Sequence, residues 1–181
     1  MVEVVNAVGS GSFDREFDLS VVAEDLGSVA EFDEEKNPGM YVRLSEDSPL
    51  ATIYRTGKFI VTGADSIDGL YEMKEDLFDL LTKAGIVSKD DLEWFRVQNL
   101  VCTTVLASDL NLNALTIGLG LEQTEYEPEQ FPGLIYRNSA FECVVLIFST
   151  GKAVITGSND LEEAEVVSKF LKEELSKFQI S

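Results

Sequence analysis

From residue 65 to 84 apolar side chains return every three or four positions. Leu70, Met73, Leu77 and Leu80 share one face between acidic and basic neighbours, which predicts a long amphipathic helix ending at Gly85. A shorter run, 18–26, reads the same way, with Asp18 placed to cap it and Leu19, Val22 and Leu26 on one side. Elsewhere the period drops to two, and residues 2–9, 29–34, 40–44, 50–55 and 58–63 are predicted strands. The second half repeats the series, with a helix near 110–119, strands to about 156 and a helix over about 160–177. Strand, helix, four strands and helix, taken twice, predict an α+β fold in which four helices cover one face of an antiparallel sheet. In "VVLIFST" and "AVITG", alternation puts Leu146, Phe148, Val154 and Thr156 on one side and Val145, Ile147 and Ile155 on the other. Both sides are largely apolar. Since helices are available for only one, the other is an oligomer interface or a platform for a ligand.

The pattern recurs because the sequence does. "RTGKFIVTG" returns as "STGKAVITG", displaced by 94 positions from Gly57 to Gly151, and "VVNAV" returns as "VQNLV", displaced by 93 from Asn6 to Asn99. Two pseudo-symmetric repeats follow, residues 1–90 and 91–181, meeting at the polar connector "VSKDDLEW".

Charge narrows the function. The chain has a formal net charge of −19 and no histidine, with 19 acids against 8 bases in residues 1–90 and 14 against 6 in 91–181. Acid spread over both halves differs from an acidic tail, and such a surface ordinarily repels polyanions and membranes. A folded protein of this composition suits a very salty cytoplasm, where molar salt screens charges within about 3 Å. No long apolar run suggests a membrane span, and the start lacks signal-peptide layout, so a soluble cytoplasmic protein is expected. Cys102 and Cys143 lack metal-ligand spacing and read as buried, inert thiols. An enzyme is the least supported class: there is no histidine, nucleophile elbow, phosphate-binding glycine loop or metal-ligand cluster.

On "VQNLVCTT", "YEPEQFPGLIYR" and "VVLIFSTGKAVITG", with their weaker first-half partners "VVNAV", "NPGMYVR" and "TGKFIVTG", the chain resembles the TATA-box-binding protein family end to end. The acidity resembles archaeal members from salt-loving organisms. The resemblance implies a saddle: one continuous, curved antiparallel sheet whose concave face lies on a widened minor groove, with four helices on the convex face. In that family the groove is kinked and apolar wedges enter between base steps. It further implies a general transcription initiation factor that binds A·T-rich double-stranded promoter DNA, associates with the nucleoid, and recruits transcription factor B and, through it, RNA polymerase. No cofactor and no metal are implied.

By position, Phe131 and Phe148 match the family's intercalating phenylalanines; the bland alternative is ordinary core aromatics, which Phe131's place before Pro-Gly disfavours. Asn6 and Asn99 match asparagines whose amides donate to minor-groove acceptors, although an Asn in a strand is more often a bulge or edge residue. Thr62 and Thr156 match the threonines beside them, and Val8, Val101, Ile60, Val154 and Leu146 match the apolar floor. Arg43, Lys58, Arg137 and Lys152 match phosphate-facing positions, with Lys36 and Arg55 as additions; each alone reads as a solvated charge. Glu127, Glu129 and Gln130 lie on the second-repeat loop, or stirrup, that docks transcription factor B in the family.

The first repeat departs from the pattern. Asn37 stands opposite Phe131, Tyr54 opposite Phe148 and Thr52 opposite Leu146, while Asp65 and Asn159 occupy places where lysine is common. Tyr54 still stacks, but Asn37 supplies no apolar wedge, so weaker DNA grip is expected at the first-half end. Two readings remain: a working initiation factor, or a divergent paralogue that acts as a protein-interaction module or regulator, binding transcription factor B with weak or relaxed DNA binding. Whether the free protein forms a homodimer through the apolar face stays open.

Overall fold

The computed structural model describes residues 1–178, so the last three residues of the second repeat lie outside it. It contains four helices and ten strands, and its paired strands run antiparallel, the α+β class that the alternation predicts. In chain order the first half holds β1 (Glu3–Phe13), α1 (Leu19–Leu26), β2 (Ala30–Glu31), β3 (Gly39–Val42), β4 (Leu50–Tyr54), β5 (Lys58–Ala64) and α2 (Ile67–Lys83). The second half holds β6 (Leu92–Val105), α3 (Leu112–Leu119), β7 (Thr124–Glu125), β8 (Leu134–Arg137), β9 (Val144–Ile147), β10 (Lys152–Ser158) and α4 (Leu161–Phe178). Neighbouring strands follow the order β2-β3-β4-β5-β1 in the first half and β6-β10-β9-β8-β7 in the second, the same order under the sequence displacement.

The compact units cross the repeat boundary. One is Asn6–Gln98; the other joins Met1–Val5 to the chain from Asn99 onward. Each therefore takes the opening of the other repeat's first strand. In the first unit the Phe95 ring of β6 lies 5.7 Å from Phe59 and 5.4 Å from Tyr71, and Gln98 Nε2 donates to Ser10 Oγ at 2.7 Å. In the second, Thr104 Oγ1 donates to the Met1 carbonyl at 3.2 Å. The stretch read as a connector is thus only partly one: Leu92–Trp94 already belong to β6. Asp91 just before it accepts the Ser88 N–H at 2.7 Å and faces Arg15 Nη1 at 3.4 Å. The Ser88 N–H foremost, with Arg15, holds its carboxyl below the usual value.

Local chemistry sets the helix ends. Asp18 accepts from the Ser20 and Val21 amides, Ser66 from Gly69 and Asn111 from Ala114, satisfying first-turn donors that lack intrahelical partners. Gly85, at φ 72, ends α2 by turning left-handed, and its N–H bonds the Thr82 carbonyl at 3.0 Å. The buried face of α2 runs through Leu70, Met73, Leu77 and Leu81 rather than Leu80, which is half-buried. Spacings of 3, 4 and 4 hold one direction at 3.6 residues per turn, whereas Leu80 drifts off it. The predicted strand over 29–34 shrinks to Ala30–Glu31, because Asp33 starts a turn: its carbonyl accepts the Lys36 and Asn37 amides.

Each unit buries the helix-facing side of its sheet. Met40, Ile53, Phe59 and Val61 pack with Leu70 and Leu77 in the core of the first; Leu134, Ile147 and Ile155 belong with Leu115, Val167 and Leu171 in the second. Alternate residues on these strands remain half-exposed or exposed.

Candidate nucleic-acid interface

Residues directly opposite one another in paired strands share a face, so the register assembles the open surface of each half. In the second half Ile135, Leu146, Val154 and Thr103 lie in one row across β8, β9, β10 and β6, and Arg137, Val144, Thr156 and Val101 lie in the next. In the first, Tyr41, Thr52, Ile60 and Ser10 form the equivalent row across β3, β4, β5 and β1, beside Leu50 and Thr62. Most of these side chains are half-exposed, while Val145, Ile147 and Ile155 on the reverse side are buried, as the alternation requires. The structure thus groups Ile60 and Thr62 in one half and Val101, Leu146, Val154 and Thr156 in the other.

Asn6 and Asn99 lie beside corresponding irregularities. Between Ala7–Ala64 and Gly9–Val61, Val8 faces both Thr62 and Gly63; between Thr156–Val101 and Ser158–Leu100, Gly157 is the extra residue. Both glycines adopt positive φ, 89° and 94°, which lets the bulge form without a Cβ penalty. The freed amides are taken by the asparagines: Gly63 N–H donates to Asn6 Oδ1 at 3.0 Å and Gly157 N–H to Asn99 Oδ1 at 2.9 Å. With each oxygen engaged, the donor end of the amide is turned the other way, and Asn99 Nδ2 lies 3.5 Å from Thr156 Oγ1. Capping the bulge and presenting an oriented donor are here the same fact. The signal lay in the repeated "TG", where the glycine, not only the threonine, is required.

The stirrups share a backbone and differ in side chain. Asp33 C=O accepts the Lys36 and Asn37 amides in the first, and Glu127 C=O accepts the Gln130 and Phe131 amides in the second. On the second, Phe131 and Phe148 meet edge to face, ring centroids 5.9 Å apart, both half-exposed. Gly133 makes room for them: a Cβ there would come within 2.7 Å of Phe131 Cε1 and 3.0 Å of Phe148 Cε1. On the first, Tyr54 lies over the corresponding Gly39, and Asn37 accepts a hydrogen bond from the Tyr41 hydroxyl at 3.2 Å.

The basic residues are unequal. Lys58, Arg137 and Lys152 are exposed. Lys36 is paired with Asp33 at 2.7 Å, and Arg43 Nη1 bonds the Ser48 carbonyl at 3.2 Å and that of Glu46 at 3.5 Å. Arg55 lines an open groove of about 680 Å³ whose walls include Glu16, Asp18 and Glu34. Sequence reasoning missed Arg96, exposed and stacked 4.9 Å over the Trp94 ring. Glu127, Glu129 and Gln130 are exposed, with the Gln130 amide bonded to the Glu127 carboxylate. Cys102 and Cys143 are buried free thiols, and burial foremost pushes Cys143 up to about 11. Among the described residues no group of three or more His, Cys, Asp or Glu is placed to hold a metal ion, and no helix is long and apolar enough to cross a membrane.

Open, largely apolar sheet faces on two copies of one α+β unit, with aromatic rings at the rim, define a repeat protein that presents surfaces rather than a pocket. The sequence signature described as "Transcription factor TFIID (or TATA-binding protein, TBP)" matches residues 1–84 and 94–178. The chain is 46% identical over 172 residues to "TATA-box-binding protein C" of Halobacterium salinarum, covering 94% of this chain and 95% of that protein. It is 43% identical over 175 residues to the "TATA-box-binding protein" of Haloarcula marismortui, covering 97% and 93%. The solved structure of Methanococcus jannaschii TBP superposes with a TM-score of 0.85 at 38% identity, covering 97% of this chain and 98% of that one. The chain belongs to the TATA-binding protein family, non-enzymatic transcription factors.

Proposed function

We propose that this protein is a general initiation factor that lays the open faces of its two halves on the minor groove of A·T-rich promoter DNA. The single observation that carries the reading is the half-exposed Phe131–Phe148 pair, held at a strand rim beside Gly133. Rings so placed replace the base stacking that a kink breaks, offsetting an unstacking cost of a few kcal/mol per step. Asn6 and Asn99, their oxygens occupied by bulge amides, offer N–H donors where A·T pairs show only acceptors. Val8, Ile60, Val101, Leu146 and Val154 form the floor, with Thr62 and Thr156 beside the asparagines. Lys58, Arg137 and Lys152 meet phosphates; Lys36 and Arg43 do so after exchanging their present partners. The exposed Glu127, Glu129 and Gln130 dock transcription factor B, which brings RNA polymerase.

The test is a gel shift at high salt on A·T-rich and G·C-rich fragments, with and without transcription factor B. Equal binding to both fragments, or none to either, refutes the reading. The polar first-half stirrup, where Asn37 is bonded to Tyr41, favours a second reading: a regulator that holds transcription factor B and binds DNA loosely. Phe131→Ala separates the two, because unchanged recruitment of transcription factor B to a promoter fragment leaves only the regulator.

A further inference from the structure

Equivalent rows of the two halves differ in the one chemical property that tells a G·C pair from an A·T pair in the minor groove. There guanine alone adds a donor, its N2 amino group, to a surface otherwise made of acceptors. Across β8, β9 and β10 the second-half row Ile135–Leu146–Val154 is aliphatic, its one hydroxyl lying on β6 at Thr103, and pressing the aliphatic part on that amino group would leave an N–H without a partner. Across β3, β4 and β5 the first-half row Tyr41–Thr52–Ile60 carries two hydroxyls, in addition to that of Ser10 on β1. Thr52 is half-exposed, its methyl lies towards Gly39, and its hydroxyl makes no hydrogen bond to another described residue. Tyr41 gives its proton to Asn37 Oδ1 at 3.2 Å, so what its oxygen has left to offer is acceptance.

We propose that the first half accepts a G·C pair in the groove, with Thr52 Oγ1 taking the guanine amino hydrogen and the Tyr41 oxygen as a second acceptor, while the second half, with Leu146 in place of Thr52, rejects one. This rests on the minor-groove reading above and refines it: the protein selects sites that are A·T-rich at one end and tolerant at the other. Because the sequence displacement gives the halves a shared layout, the protein turns round on a pseudo-symmetric site to put its tolerant half over the guanine.

The experiment measures Kd by fluorescence anisotropy, at high KCl, on an uninterrupted A·T duplex and on duplexes carrying one G·C pair at the left end, at the right end or at both. Inosine·C replacements, which lack only the amino group, are the control. Wild type should lose less than about threefold on either single substitution and more than about fivefold on the double one, the low edge of a mismatched pair's effect. Relative to its own A·T binding, Thr52→Val should lose about fivefold or more on each single G·C duplex. Leu146→Thr should recover the double one, and inosine should abolish every loss. The proposal is overturned if wild type loses as much on one G·C pair as Thr52→Val does, or if inosine changes nothing. Failure to bind even the A·T duplex overturns both this proposal and the reading beneath it; binding with equal losses overturns this one alone.

Discussion

Gly133→Ala is a one-carbon test of the aromatic rim. Gly133 is not among the glycines at positive φ, so its backbone accepts alanine and the consequence is steric. The new Cβ would stand 2.7 Å from Phe131 Cε1 and 3.0 Å from Phe148 Cε1. Carbon atoms settle at about 3.5–4.0 Å, so the first ring edge must retreat by about 0.8 Å and the second by about 0.5 Å. Both rings are half-exposed and free to tilt, so an off-rotamer cost of about 1 kcal/mol is expected for folding. In a chain of this size that lowers Tm by about 2–4 °C. On DNA the same tilt moves a ring off the base step it should cover. Stacking a base on an aromatic side chain contributes about 1–3 kcal/mol, so Kd should rise up to about 5- to 150-fold, with Phe131→Ala as the ceiling. Gly39→Ala is the first-half comparison: its Cβ meets Thr52 Cγ2 at 2.7 Å and the Tyr54 ring at 3.1 Å, groove-side groups but no phenylalanine pair, so a smaller loss is expected. Thermal unfolding followed by circular dichroism, with anisotropy on an A·T duplex in multimolar KCl, reads both quantities. Wild-type affinity in Gly133→Ala would refute the reasoning.

Asn99→Ala removes the acceptor for the Gly157 N–H and should cost about 0.5–1.5 kcal/mol of folding stability along with DNA affinity, measured by urea titration and anisotropy. In a chain with 33 acids against 14 bases, DNA binding should take up cations, so affinity should rise from low to multimolar KCl; a steep fall would contradict that. The Cys143 thiol is raised from its ordinary 9.0 to about 11, so its neutral form is the one the fold favours. The associated stability is present below pH 9 and is lost as pH rises towards 11, when the unfolded chain ionises first. Denaturant midpoints at pH 8 and 10.5 should therefore converge in Cys143→Ala relative to wild type.

Much of the fold was legible because period and repeat are one-dimensional signals. Two helical stripes and the return of "TGK…TG" give element types, their order and paired positions such as Asn6 with Asn99 and Phe131 with Asn37. The helix stripe misassigned Leu80 for Leu81, since a four-residue count tolerates one step that packing does not. The stretch 87–94 reads as a connector because its opening is polar, yet Leu92–Trp94 already belong to β6, and Phe95 just beyond them stacks on Phe59 and meets Tyr71 edge to face. Sequence alone had no means to see that neighbour.

The amino-acid order by itself determined that there are two copies of one α+β unit, which strand face is apolar twice over, and that one stirrup lacks its phenylalanine. Tertiary structure decided what those residues can offer. Register set Thr52 between Tyr41 and Ile60, and Leu146 between Ile135 and Val154; bulge amides claimed the oxygens of Asn6 and Asn99; Asp33 claimed Lys36 and a loop's carbonyls claimed Arg43. The physical reason is that a side chain's free donors and acceptors are those left over after its neighbours have taken theirs: for Lys36 and Arg43 those neighbours lie within a few residues on the same loop, whereas for the asparagines and the sheet rows they come from strands remote in the chain.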